Sequence, residues 1–187
     1  MAQAKEVKGR RKYYAANIAL AVVAATLLRA SAAGPLPEEY RAKGAYLLNF
    51  VKFVEWPDQA FKGPGDPIAI CILGTSPFGA GLVAAAQTVV VGKRSVAVLQ
   101  IPDLLQARQC QIVFLSVSER RLVRAVIDAV QGGNVLTVGE TDGFVASGGV
   151  IELSVDENRI RIEINNSGAK KAGLRISAKL LSLALIR

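Results

Sequence analysis

The 187-residue chain contains no histidine. Without it there can be no Ser-His-Asp or Cys-His nucleophile system, and no zinc ion can take a histidine ligand. Two cysteines cannot build a four-cysteine zinc site or, alone, ligate an iron–sulfur cluster. Acidic residues are the minority, 15 against 23 Lys and Arg, and no two carboxylates are spaced as an acid/base couple. Repeats, low-complexity tracts and long linkers are also absent. The expectation is a protein that is not an enzyme and holds neither a metal nor another cofactor.

The net charge of +8 invites an anionic partner until its distribution is examined. Lys5, Lys8, Arg10, Arg11 and Lys12 form a basic run, and an apolar stretch follows from Ala15 to Leu28. Arg29 then precedes Ala30-Ser31-Ala32. This is the order of a secretory signal: basic region, apolar region, small-residue cleavage site. Fourteen residues are short for a membrane span, which needs about 20. Residues 1–32 are therefore read as a cleavable signal, with a mature domain over residues 33–187 outside the cytoplasm. Six bases and one acid lie in residues 1–32, leaving 17 bases and 14 acids. A nucleic-acid partner is not expected. Arg120, Arg121 and Arg124 read as the solvated side of a helix, with no interleaved aromatics to stack on bases.

The mature chain reads as a single three-layer α/β domain. It has a mostly parallel sheet of about six strands, helices on both faces and a C-terminal antiparallel hairpin. Glu38–Val54 spaces Tyr40, Leu47, Phe50, Val51 and Val54 along one helical face, with Lys43 the polar exception, and Pro57 is expected to end the helix. Pro67–Leu73, Arg94–Ile101, Cys110–Ser116 and Val135–Val138 read as strands. The first and third are continuous apolar runs, as burial on both faces requires. Helices lie between the strands: one capped at Ser76-Pro77 and running to about Gln87, a short turn after Pro102, and one capped at Ser118 and ended by Gly132-Gly133. Val150–Ser154 and Arg159–Ile164 alternate as a hairpin, with Glu152, Arg159, Arg161 and Glu163 on a solvated face. Ser167 to Ile186 reads as helical, with a break at Gly173.

Three features remain. Phe50-Val-Lys-Phe-Val-Glu-Trp-Pro57 holds the only tryptophan, and serves either plain packing or a partly exposed anchor. Cys71 and Cys110 lie on the first and third strands, neighbours in the common 2-1-3 order, and can bridge in an oxidising compartment. The alternative is two reduced, buried thiols, or alpha carbons held too far apart to bond. Gly74-Thr-Ser-Pro-Phe-Gly79 follows a strand but lacks the residues of a phosphate loop, and Asp142-Gly143 and Gly148-Gly149 read as turns.

Tyr40-Arg-Ala-Lys-Gly-Ala-Tyr-Leu-Leu-Asn-Phe-Val-Lys-Phe-Val-Glu-Trp-Pro57 resembles the opening signature of the YfiR/HmsC-like periplasmic family. Ile70-Cys-Ile-Leu-Gly74 with Pro77-Phe-Gly79, Leu136-Thr-Val-Gly139, Gly143-Phe144, Gly148-Gly149, Arg161-Ile-Glu-Ile-Asn165 and Leu174–Leu181 resemble its later blocks, in order. The resemblance implies a repressor that binds the periplasmic domain of an inner-membrane diguanylate cyclase. That would lower cyclic-di-GMP, limiting biofilm and favouring motility. It also implies an OmpA-like outer-membrane lipoprotein as sequestering partner, a homodimer, and sensitivity to redox state through disulfides. Some members carry four cysteines and this chain has two, which counts against a switch needing a second pair. The expected partner surface comprises Phe53, Trp56, Phe61, Phe144, Glu163 and Arg175. The other reading is a periplasmic small-molecule sensor, since glycine loops at strand ends are where α/β sheets bind ligands.

Overall fold

A computed structural model describes residues 37–157 and 159–187, so the signal-peptide expectation lies outside the described residues. The chain opens with helix α1 (Glu38–Phe53), which carries Glu38 and Glu39 in its first turn and Lys52 in its last. Both placements complement the helix dipole. The helix stops at Phe53 because Val54 turns extended and begins the short strand β1 (Val54–Glu55). Pro57 lies beyond this strand and plays no part in ending the helix.

The parallel strands are β2 (Ile68–Leu73), β4 (Arg94–Ile101), β5 (Ile112–Leu115) and β6 (Leu136–Gly139). Helix α2 (Gly79–Ala86) and the two-residue strand β3 (Val90–Val91) lie between β2 and β4. Two 3-10 helices, Leu104–Gln109 and Val117–Leu122, flank β5, and α3 (Val123–Val130) leads to β6. The hairpin β7 (Ile151–Asp156) and β8 (Arg159–Ile164) follows. The C-terminal part contains α4 (Asn166–Lys171), β9 (Arg175–Ile176), α5 (Ala178–Leu181) and β10 (Leu185–Ile186). Eight strands form one sheet in the order β10-β8-β7-β6-β5-β2-β4-β3, and β1 pairs with β9 in a separate ribbon. The sheet is wider than the six strands expected, through the two-residue additions β3 and β10 at its edges.

Alternation divides the core in two. Ile68, Ile70, Ile72, Ile112, Phe114, Leu136 and Val138 pack with Leu47 and Phe50 of α1 and Leu82 of α2. Ala69, Cys71, Leu73, Val113 and Leu115 face the other way, onto Val126 and Val130 of α3. Strands that are apolar at every position have to be covered on both faces, and helices do so here.

Four local expectations are corrected. Ser76 does not cap α2; Phe78 occupies that position, its buried ring packed at 5.0 Å from Phe114 and 6.0 Å from Tyr40. Ser118 does not cap α3; its hydroxyl accepts from the Thr75 amide at 3.3 Å. Glu152 is not solvated but buried, binding the loop before its own strand. The C-terminal helix breaks at Gly173 as expected, but Arg175–Ile176 and Leu185–Ile186 become strands. They pair with Val54–Glu55 and with Glu163–Ile164, so available strand partners override helical propensity.

Candidate functional site

The carboxyl ends of β2 and β5 are where an open α/β sheet usually receives a ligand. Here a hollow of about 260 Å³ opens, lined by Gly74, Thr75, Gln100, Pro102, Glu119 and Leu122. A Cβ added at Gly74 would lie 2.5 Å from Glu119 Cγ and 2.8 Å from Ser118 Oγ, so the 3-10 helix Val117–Leu122 sits directly on the glycine. Beyond β6, Glu140 is drawn inward. Its Oε1 accepts from the Val117 amide at 2.8 Å and its Oε2 pairs with Lys43 Nζ at 2.7 Å. Both side chains are almost fully enclosed, 2% and 3% exposed, and Lys43 also pairs with Glu39. Burial alone would depress the Lys43 ammonium, but the bonds to Glu140 and Glu39 outweigh it and hold it above the usual lysine value. Burial, reinforced by Glu140, raises the neighbouring Tyr40 phenol. These groups satisfy one another and tie α1 to the end of β6.

The loop from Thr141 to Val150 is a socket for one ring. Phe144 is 1% exposed, so its expected place at a partner surface is corrected. Cβ atoms at Gly139 and Gly149 would fall 2.3 and 2.2 Å from the ring, so both glycines exist to let it in. Buried Glu152 closes the socket by accepting from the amides of Gly143 and Val145, at 3.3 and 3.1 Å. The glycine-rich blocks of this region therefore serve packing.

Phe53, Trp56 and Phe61 gather at the opposite end of the sheet. From the Lys43–Glu140 pair at the carboxyl end of β6 the chain runs along α1 and through β1 to Trp56, whose indole N–H donates to the carbonyl of Gln111 at 3.2 Å. Gln111 immediately precedes β5. Its carbonyl also accepts from the Leu136 amide, its side chain donates to the Ala60 carbonyl at 2.7 Å, and it accepts from the Ala69 amide at 2.8 Å. One buried glutamine thus holds the segment 56–60 against β2 and β5. Phe61 lies under Arg94, whose guanidinium sits 3.6 Å from the ring centroid and donates to the carbonyls of Gly63 and Asp66. Phe53 carries Lys179 at 5.3 Å. Across the β1–β9 ribbon, Arg175 pairs with Glu55 at 3.4 Å and is 84% exposed. Phe53, Trp56 and Phe61 are half-buried, each with one side in the core cluster. Of the expected surface residues, the segment 53–61 and Arg175 share this region. Glu163 lies apart on β8, paired with Arg187 at 2.6 Å.

The disulfide lies next to Gln111. Cys71 on β2 and Cys110 are bonded, with alpha carbons 6.0 Å apart. Register brings them together: Cys71 lies opposite Val113 on the neighbouring strand, and Ala69 accepts from Gln111, the residue after Cys110. Gln111, Glu140 and Arg94 were not singled out in the sequence. A polar residue between Cys110 and an apolar strand was the available signal for Gln111. For Glu140 it was Lys43, the one polar residue on an apolar helical face. Nothing in the sequence pointed to Arg94 over Phe61.

These features define an α/β domain, braced by a disulfide, with half-buried aromatic and basic residues at the amino end of its sheet. The chain belongs to the YfiR/HmsC-like family, whose model matches residues 40–185. Among solved structures it is similar to a conserved domain protein from Vibrio cholerae, at 12% identity over 64% of this chain and 54% of that one, TM-score 0.48. It is similar as well to an ABC domain in complex with L-Trp from Streptococcus pneumonia, at 12% identity over 64% of this chain and 55% of that one, TM-score 0.48. The chain spans about half the length of each of these two proteins. Membership of the YfiR/HmsC-like family points to a periplasmic regulator of cyclic-di-GMP signalling.

Proposed function

We propose that this protein is a periplasmic repressor. It binds the periplasmic domain of an inner-membrane diguanylate cyclase and holds the cyclase inactive. The observation that carries this reading is the family match across residues 40–185. The N-terminal order of basic, apolar and small residues supports the address. No helix among the described residues is long and apolar enough to cross a membrane. Repression needs no turnover, only tighter binding to the inactive cyclase than to the active one. The aromatic and basic region around Phe53, Trp56, Phe61 and Arg175 is the surface we assign to that contact, since rings and arginines dominate binding energy at interfaces. An OmpA-like outer-membrane lipoprotein would relieve repression by competing for the repressor. The disulfide gives a redox input, because reduction frees Cys110 beside the Gln111 that holds the aromatic segment.

Deleting the gene should raise cyclic-di-GMP and surface attachment, and restoring it in trans should lower both. Unchanged levels in a strain that carries such a cyclase reject the proposal. The second reading, a small-molecule sensor, would use the hollow of about 260 Å³ at the carboxyl ends of β2 and β4, lined by Gly74, Thr75, Gln100, Pro102 and Glu119.

A further inference from the structure

The sheet has a gap at the start of β6. The β6–β7 ladder sets only Val138 against Ile151 and Gly139 against Glu152. Among the described residues, Leu136 and Thr137 therefore have no strand partner on that side. Thr137 Oγ1 takes the place of a ladder bond by accepting from the Val150 amide at 3.0 Å. Beside this gap, between α3, β6 and α4, lies a hollow of about 540 Å³. That is the size range of small-molecule sites.

Its lining divides by chemistry. Buried Val130, Val135 and Val150 and half-buried Ile127 make the walls apolar. The backbone acceptors around it are already taken. The Ala129 and Gln131 carbonyls at the end of α3 receive Arg108, the Ser147 carbonyl receives Arg124, and the Ala172 carbonyl receives Asn134. The donors are not. Thr137 is 3% exposed, and its hydroxyl accepts one bond but, among the described residues, donates none, although it has a proton to give. Lys171, on the rim contributed by α4, belongs to no ion pair among the described residues. Arg124, on the rim contributed by α3, is exposed and loosely paired with Asp128 at 3.8 Å, a pair worth little on its own. Two cations against one carboxylate leave the rim with a net charge of +1.

We infer that this hollow binds a small organic monoanion. Its carboxylate lies at the rim between Arg124 and Lys171, its apolar body lies against Ile127, Val130, Val135 and Val150, and an acceptor atom on that body takes the Thr137 hydroxyl proton. A net charge of +1 suits one carboxylate better than a phosphate dianion, and aliphatic walls offer a bare ion nothing. Arg124 exchanges its long pair with Asp128 for the ligand at little cost. The site is separate from the hollow at the carboxyl ends of β2 and β4. It stands whatever protein the segment 53–61 holds, because it is built from other elements.

Calorimetric titration and methyl NMR of the purified oxidised protein test it, with 6-hydroxy-2-naphthoate as the probe. The probe should saturate a single site and shift the methyl signals of Ile127, Val130, Val135 and Val150, leaving that of Val83 on α2 unmoved. Its neutral carboxamide should bind about tenfold more weakly, as should the acid to Arg124→Gln or to Lys171→Gln, since each change removes one charged hydrogen bond. Melting should be unchanged in both variants. Lys170→Gln, an exposed neighbour outside the hollow, should bind like the parent. Inorganic phosphate should leave the four methyl signals in place. No saturable binding overturns the inference, as does a carboxamide that binds equally well or phosphate that moves the same methyls. So does binding that both glutamine variants leave intact, or binding that moves Leu48 and Leu82, in the hollow between α1 and α2, instead. If a glutamine variant fails to fold, the carboxamide and the methyl shifts of the parent decide alone.

Discussion

Lys43 shows what one residue does in this protein. It sits on the apolar face of α1, and only Glu140 and Glu39 make its burial tolerable. Removing one member of a buried pair strands the other charge. Lys43→Met should therefore cost about 3–5 kcal/mol in chemical denaturation, and a second change, Glu140→Leu, should recover part of that loss. The alkaline limb of stability has its sign fixed by the same cluster. Lys43 and Tyr40 both have folded values raised above their unfolded 10.5 and 10.0, so each favours the folded state while protonated. Their contribution should be intact through neutral pH and be lost as pH climbs above about 10, which pH-dependent denaturation reads directly; a loss between pH 6 and 9 would belong to other groups. Phe144 supplies a packing counterpart. Gly149→Ala sets a methyl 2.2 Å from its ring, and should lower the melting temperature strongly, whereas Gly65→Ala, with nothing near its Cβ position, should not.

Among the elements, β5 links chemistry to surface. Its first residues follow the disulfide and Gln111, and Gln111 holds the chain that carries Trp56. The bond closes a sequence separation of 39 residues, which chain entropy rates at about 4 kcal/mol. Trp56 is the only tryptophan, so its emission reports this one place. Cys71→Ser with Cys110→Ser should melt lower and shift that emission to the red, and Gln111→Ala should reproduce the shift with the disulfide intact. An emission unchanged in both variants would separate the disulfide from the aromatic segment. β2 and β5 were legible in the sequence as continuous apolar runs, and β4 and the β7–β8 hairpin by their alternation. So was the disulfide, once compartment and strand order were taken together. The C-terminal strands were not, because Arg175–Ile176 and Leu185–Ile186 are strands only by virtue of partners distant in sequence. Nor was the inward turn of Glu152. Alternation places it correctly along β7, but a carboxylate reads as solvated until the amides of Gly143 and Val145 are found above it.

In the whole molecule, the two ends of the sheet have different tasks. At the carboxyl end Val117–Leu122 packs on Gly74, and the Lys43–Glu140 pair ties α1 to the end of β6. The amino end carries half-buried rings, an exposed Arg175 and the disulfide-linked Gln111. Of the residues expected at a partner surface, Phe53, Trp56, Phe61 and Arg175 lie together at this end. Packing separates the other two: Phe144 lies in the core and Glu163 on β8. The most direct measurement is calorimetric titration of the oxidised protein with the purified periplasmic domain of the cyclase from the same cell. Saturable binding, weakened at least tenfold by Arg175→Glu on an otherwise equally stable domain, is the expected result. No binding to a folded cyclase domain would contradict it.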